Sequence, residues 1–96
     1  MPKKAYVPGN RTCRVTFELP ADVKASEVCL LGEFNDWKAV PLTPRKGGRF
    51  SITLSLPRER TFRYRYLIDG NRWENDWEAD GYQPNAYGGD DSIVTC

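Results

Sequence analysis

The chain has 96 residues, 40% hydrophobic and 28% charged, with 14 Lys and Arg against 13 Asp and Glu. That length allows one domain with a single core, removing roughly 60–65% of the unfolded surface from water, and leaves little room for an enclosed catalytic cavity. Balanced charge gives no overall field to recruit nucleic acid or an anionic membrane, and the absence of histidine removes the commonest general base and metal ligand.

Met1 to Asn10 lacks an apolar run of signal-peptide length and no later window approaches a membrane span, so a cytoplasmic setting is expected. Residues 1–10 read as a loose tail and residues 11–96 as the folded domain. Cys13, Val15, Phe17 and Leu19 alternate with Arg14, Thr16 and Glu18, which predicts a strand with one wet face. Val28 to Leu31 is continuously apolar and predicts a strand covered on both sides. Phe50, Ile52, Leu54 and Leu56 form another inward series, as do Phe62, Tyr64, Tyr66 and Ile68, with Arg63, Arg65 and Leu67 facing the other way. Ser92 to Thr95 closes the set.

Gly47-Gly48 and Asp69-Gly70 carry the chemistry of tight turns, and Pro20, Pro41, Pro44 and Pro57 fall at strand ends. No stretch supports a long helix. The fold class expected is all-β, an antiparallel immunoglobulin-like sandwich. Asn75 to Asp91, rich in Gly, Asn and Asp, reads as a long surface loop. Cys13, Cys29 and Cys96 are odd in number and far apart, which argues against a disulfide framework or a zinc site.

Charge is segregated along the chain. Lys38 to Arg72 is strongly basic, while Trp73 to Cys96 holds acids and no base, a pattern that neutralises itself across neighbouring strands. Arg63 and Arg65 with Tyr64 and Tyr66 superficially suggest a nucleic-acid face, but alternation sends cations and rings to opposite sides. Glu74, Asp76, Glu78 and Asp80 offer paired carboxylates for glycoside chemistry; four acids on one polar loop are more often solvated. Asp76 to Gly81 imitates half of a calcium loop, yet Pro84 interrupts it and Tyr87 stands where the bidentate Glu belongs. No catalytic residue, metal or cofactor is expected.

Trp37, Trp73, Trp77 and Tyr87 lie in polar, turn-forming sequence. Rings there either fold back to cap the core or stand out to stack on a flat apolar partner such as the C–H face of a sugar. For a sugar site, Trp37 and Trp73 supply platforms, Arg65 or Lys38 a donor, and Asn75, Asn85, Asp90 or Asp91 acceptors.

Gly32-Glu33-Phe34-Asn35-Asp36-Trp37 and Tyr64-Arg65-Tyr66-Leu67-Ile68-Asp69-Gly70-Asn71-Arg72-Trp73, in this order, resemble the family 48 carbohydrate-binding modules. That family includes the early-set N-terminal domains of isoamylases and branching enzymes and the glycogen-binding domain of the AMP-activated kinase β subunit. The likeness runs from about Thr12 to the C-terminus and is nearest to small stand-alone bacterial members. It implies a non-catalytic module for glycogen, starch or maltooligosaccharides, in which Trp37 and Trp73 stack on glucose and Arg65 replaces a sugar-binding Lys. Where glycogen-binding members carry an apolar wedge, a hydroxyl and an amide, this chain has Tyr87, Gly89 and Asp91. The resemblance thus implies Tyr87 as a further platform and Asp91 as an acceptor, with Asn75 and Asn85 on the polar rim. The alternative is an interaction module with a decayed sugar site that docks an α-glucan-metabolising enzyme in trans.

Overall fold

The computed structural model describes residues 3–6, 9 and 11–96. Among the described residues ten strands form two antiparallel sheets: β1 Lys3–Tyr6, β2 Thr12–Leu19, β3 Val28–Gly32, β4 Val40–Pro41, β5 Thr43–Pro44, β6 Phe50–Pro57, β7 Thr61–Ile68, β8 Arg72–Glu74, β9 Gly81–Pro84 and β10 Asp90–Thr95. One sheet has the order β1-β2-β6-β5; the other has the order β4-β3-β7-β10-β9, with β8 also paired to β7. The architecture is the expected all-β, immunoglobulin-like sandwich.

The period-two pattern decides which sheet faces meet. Register pairs Cys13 with Leu56, Val15 with Leu54, Phe17 with Ile52 and Leu19 with Phe50, so both inward series of the first sheet share one side. On the wet side the Thr16 and Thr53 hydroxyls meet at 2.9 Å. In the second sheet Val28, Leu30 and Gly32 pair with Ile68, Tyr66 and Tyr64 on the inward side, while Cys29 and Leu31 pair with Leu67 and Arg65 on the outward side. Phe17 packs edge-on against Tyr64 with ring centres 5.0 Å apart, and Phe34 joins them from the turn after β3, 5.5 Å from Phe17.

Phe34 fits only because Gly32 has no side chain. A Cβ at that position would lie 2.7 Å from Arg63 O and 2.7 Å from Phe34 Cζ. Gly32→Ala should therefore cost about 2–3 kcal/mol, since one clashing partner is backbone of the neighbouring strand. The measurement is the urea midpoint; a change within about 0.5 kcal/mol would show that the close approach does not constrain the turn.

Three expectations differ from the structure. Lys3–Tyr6 is a strand, not tail: β2 has an edge left open by β6, and Lys4 pairs there with Val15 and forms an ion pair with Asp80. The remaining tail positions, 1, 2, 7, 8 and 10, lie outside the described residues. Second, Asn75 to Asp91 is not one loop, because Gly81–Pro84 runs along β10 with Tyr82 opposite Ser92. As an edge strand with one neighbour it tolerates Gly and Pro.

Third, Cys13 and Cys96 form a disulfide across 83 residues, with Cα atoms 6.2 Å apart. Cys96 docks on the β6–β7 turn, donating its N–H to Arg60 O at 3.0 Å and accepting from Glu59 N at 2.7 Å, and that turn adjoins the start of β2. Sheet closure, invisible in sequence spacing, brings the two together. Cys29 is the free thiol, and burial followed by the Glu27 carboxylate raises its pKa.

Candidate functional site

Three of the exposed rings, Trp37, Trp73 and Tyr87, gather at the outward side of the second sheet. Trp37 is aimed by the turn after β3. The Asn35 side chain accepts from Gly32 N at 3.0 Å and donates to Leu30 O at 3.4 Å, and Trp37 N donates to Gly32 O at 2.9 Å. Asp36 and Trp37 both have positive φ, 55° and 58°. A bulky side chain in the left-handed region costs about 1–3 kcal/mol and persists where surrounding bonds impose it, a feature that clusters at ligand sites.

Trp73 lies in β8, a strand where turn sequence was expected, and pairs directly with Leu67. Asp69 and Gly70, with φ 52° and 73°, make the tight reversal from β7. Asp69 Oδ1 anchors it by accepting from Ser26 N and Glu27 N, each at 2.9 Å. Alternation then places Trp73 beside Leu67 and Arg65, on the solvent side. Trp37 is 39% exposed and Trp73 48%, so neither ring caps the core.

Arg65 connects the platforms to β10. Its guanidinium carbon is 5.7 Å from the Trp73 ring centre, and its Nε is 4.0 Å from Asp91 Oδ1. Among the described residues this Nε has no hydrogen-bond partner. Asp91 is buried and also accepts from Arg63 Nη1 at 3.4 Å and Asn85 Nδ2 at 3.2 Å. Asn85 in turn accepts from Tyr87 N at 2.9 Å and Gly89 N at 3.2 Å, shaping the hairpin whose tip holds Tyr87, 97% exposed. Asp91 and Asn85 thus form a framework beneath Arg65 and Tyr87. The basic and acidic stretches of the chain meet here, through Arg63, Arg65 and Asp91.

Trp37, Arg65, Trp73, Asn85, Tyr87 and Asp91 line a single recess of about 570 Å³. Asn75 is not among them. Its amide is committed elsewhere, donating to Asp90 O at 2.7 Å and accepting from Ser92 N at 3.0 Å and Ser92 Oγ at 2.8 Å, which ties the end of β8 to β10. Lys38, the other possible donor, is also absent from the lining. Arg63 was overlooked as a partner of Asp91, although its place two residues before Arg65 puts it on the same face.

Of the four acids from Glu74 to Asp80, Asp76 above all is not simply solvated. Asp76 is only 2% exposed; its Oδ2 accepts from Tyr64 OH at 2.9 Å and Tyr66 OH at 3.2 Å, and its Oδ1 from Glu78 N at 3.0 Å. The two tyrosine hydroxyls reach the mouth of the sandwich and need an acceptor there. Asp80 accepts from Thr95 N at 2.8 Å and pairs with Lys4, and Glu74 lies 3.7 Å from Arg72.

Burial, then the charges of Tyr66 and Asp76, raise the Tyr64 pKa far above 10; burial, then Asp76, does the same for Tyr66. With folded pKa values above the unfolded one, their contribution is complete below about pH 10 and declines above it, by about 1.4 kcal/mol per pH unit for each ring. Tyrosinate absorbance from these two rings is expected to rise only together with loss of the near-UV circular dichroism of the fold. Ionisation of all five tyrosines while that signal persists would contradict the burial of this pair.

Residues 14–95 match a family model described as the glycogen recognition site of AMP-activated protein kinase. Among curated proteins, the chain is 44% identical over 50 residues to 5′-AMP-activated protein kinase subunit beta-1 of Sus scrofa, covering 52% of this chain and 38% of that protein. It is 31% identical over 83 residues to the Pongo abelii protein of the same name, covering 77% of this chain and 30% of that protein. The chain spans about a third of the length of these relatives, between 30% and 38%.

Proposed function

This chain belongs to the family of the AMP-activated kinase glycogen recognition site, the non-catalytic family 48 carbohydrate-binding modules, and we propose that it binds α-glucan chains by stacking glucose units on Trp37 and Trp73. The observation that carries this reading is the convergence of two indoles, one from the turn after β3 and one from β8, on one recess with a guanidinium beside them. An indole takes up the C–H face of a glucose ring and releases water from both surfaces, and Arg65 donates to the hydroxyls at the ring edge. Arg65 is held over Trp73, so little side-chain freedom remains to be lost on binding. Tyr87, on its hairpin tip, closes against the sugar as a third ring, while Asn85 and Asp91 position the hairpin and Arg65.

Two or three rings in an open recess cover little area. Each stack contributes on the order of 1–2 kcal/mol and hydrogen bonds from the Arg65 guanidinium add about 1.5–3 kcal/mol, so the dissociation constant for maltoheptaose is expected between roughly 10 μM and 1 mM. Tryptophan fluorescence titrated with maltoheptaose should shift and saturate in that range. An unchanged spectrum at about 10 mM sugar would reject the reading.

A further inference from the structure

Trp77 stands apart from the recess just described and is 64% exposed, the most exposed of the three indoles. Its neighbour Asp76 is fixed by the two tyrosine hydroxyls, by its own N–H to Ser92 Oγ at 2.8 Å, and by Tyr82 OH donating to its carbonyl. The backbone that carries the ring is therefore anchored, and its exposure is a built feature and not fraying of a loop end.

One side of the ring borders a recess of about 210 Å³ with a floor of Leu19, Val23 and Ile68 and a polar wall of Asp22, Arg72 and Glu74. A smaller depression of about 50 Å³, lined by Leu19, Pro20 and Glu78 among others, lies on another side. Arg72 donates to Val23 O at 3.2 Å and keeps its Nε 3.7 Å from Glu74 Oε1. A tryptophan beside an arginine and a carboxylate repeats the chemistry of Trp73, Arg65 and Asp91. The pairing of Tyr66 with Glu74, Leu67 with Trp73 and Ile68 with Arg72 puts these two groups on opposite faces of β8. One glucose unit therefore cannot occupy both.

We infer that the Trp77 flank is a second α-glucan contact, independent of the first, that receives another chain of the same polymer; the ligand class rests on the function proposed above. Two acids against one arginine disfavour an anionic ligand, whereas sugar hydroxyls donate to carboxylates and accept from guanidinium. Two contacts on one rigid body raise the affinity for branched polymer above that for a short oligosaccharide.

The test is a maltoheptaose titration of protein labelled with ¹⁵N-tryptophan, its three indole N–H resonances assigned from single Trp→Phe variants. The Trp77 resonance is expected to move along its own saturation curve, and to do so equally in the Trp37→Ala/Trp73→Ala protein. Movement of Trp37 and Trp73 with Trp77 static at about 20 mM sugar overturns the second contact and leaves the first intact. A Trp77 shift that disappears in the double variant also overturns it, because the ring then only reports on the first recess. Movement of Trp77 alone supports the flank contact and rejects the first site; no movement of any resonance rejects both.

Discussion

Replacing Trp37 and Trp73 together by alanine is expected to weaken maltoheptaose binding by about 30-fold to 1,000-fold, read by calorimetry. The range follows from two stacks of about 1–2 kcal/mol each and a factor of ten per 1.4 kcal/mol. Trp73→Ala alone should lose more than the stack, because Arg65 sits 5.7 Å above that ring and loses the surface that orients it. The fold should tolerate the double change: Trp37 and Trp73 are both exposed, and surface substitutions usually stay within about 0.5 kcal/mol. Equal affinity in a folded double variant would mean that neither indole contacts sugar.

Asp76→Ala is expected to have the largest effect on stability, a loss of about 3–5 kcal/mol in urea denaturation. The substitution leaves two buried tyrosine hydroxyls and the Glu78 amide without their acceptor. Asp76→Asn should lose less, since one oxygen remains to accept. Adding Tyr64→Phe and Tyr66→Phe to Asp76→Ala should recover part of the loss by removing the stranded donors. A change within about 0.5 kcal/mol for Asp76→Ala would place the carboxylate in solvent, where the sequence alone puts it. Sugar binding by molecules that remain folded should be nearly unchanged, which separates the anchor from the site.

The contrast between these positions shows what was legible in the sequence. Strand alternation is local, so the inward faces of β2, β6 and β7 could be read directly, and Asp69-Gly70 announced its reversal through residues able to take positive φ. Trp37, Arg65, Trp73, Asn85, Tyr87 and Asp91 were nominated by residue type and family resemblance, and the structure gathers them in one recess. Their roles within it divide by burial, which composition does not report. Exposed Trp37, Trp73 and Tyr87 face solvent, whereas Asp91 is buried among Arg63, Arg65 and Asn85.

Illegible features depend on which strands become neighbours. Asn75 is drawn away from the recess because its amide can satisfy two strands at once, bridging β8 to Asp90 and Ser92 of β10. Asp76 is buried because tyrosines on β7 end beside it, and Cys96 meets Cys13 because the terminal residue docks on the turn next to β2. Lys3–Tyr6, lacking apolar alternation, becomes a strand through the open edge it covers. None of these pairings leaves a local periodicity.

The most direct measurement is a crystal structure of the chain grown with maltoheptaose. The account predicts consecutive glucose units seated with their C–H faces about 4 Å from the indoles of Trp37 and Trp73, and Arg65 within hydrogen-bonding distance of their hydroxyls. Sugar density confined to another surface, with both of these rings bare, would contradict it.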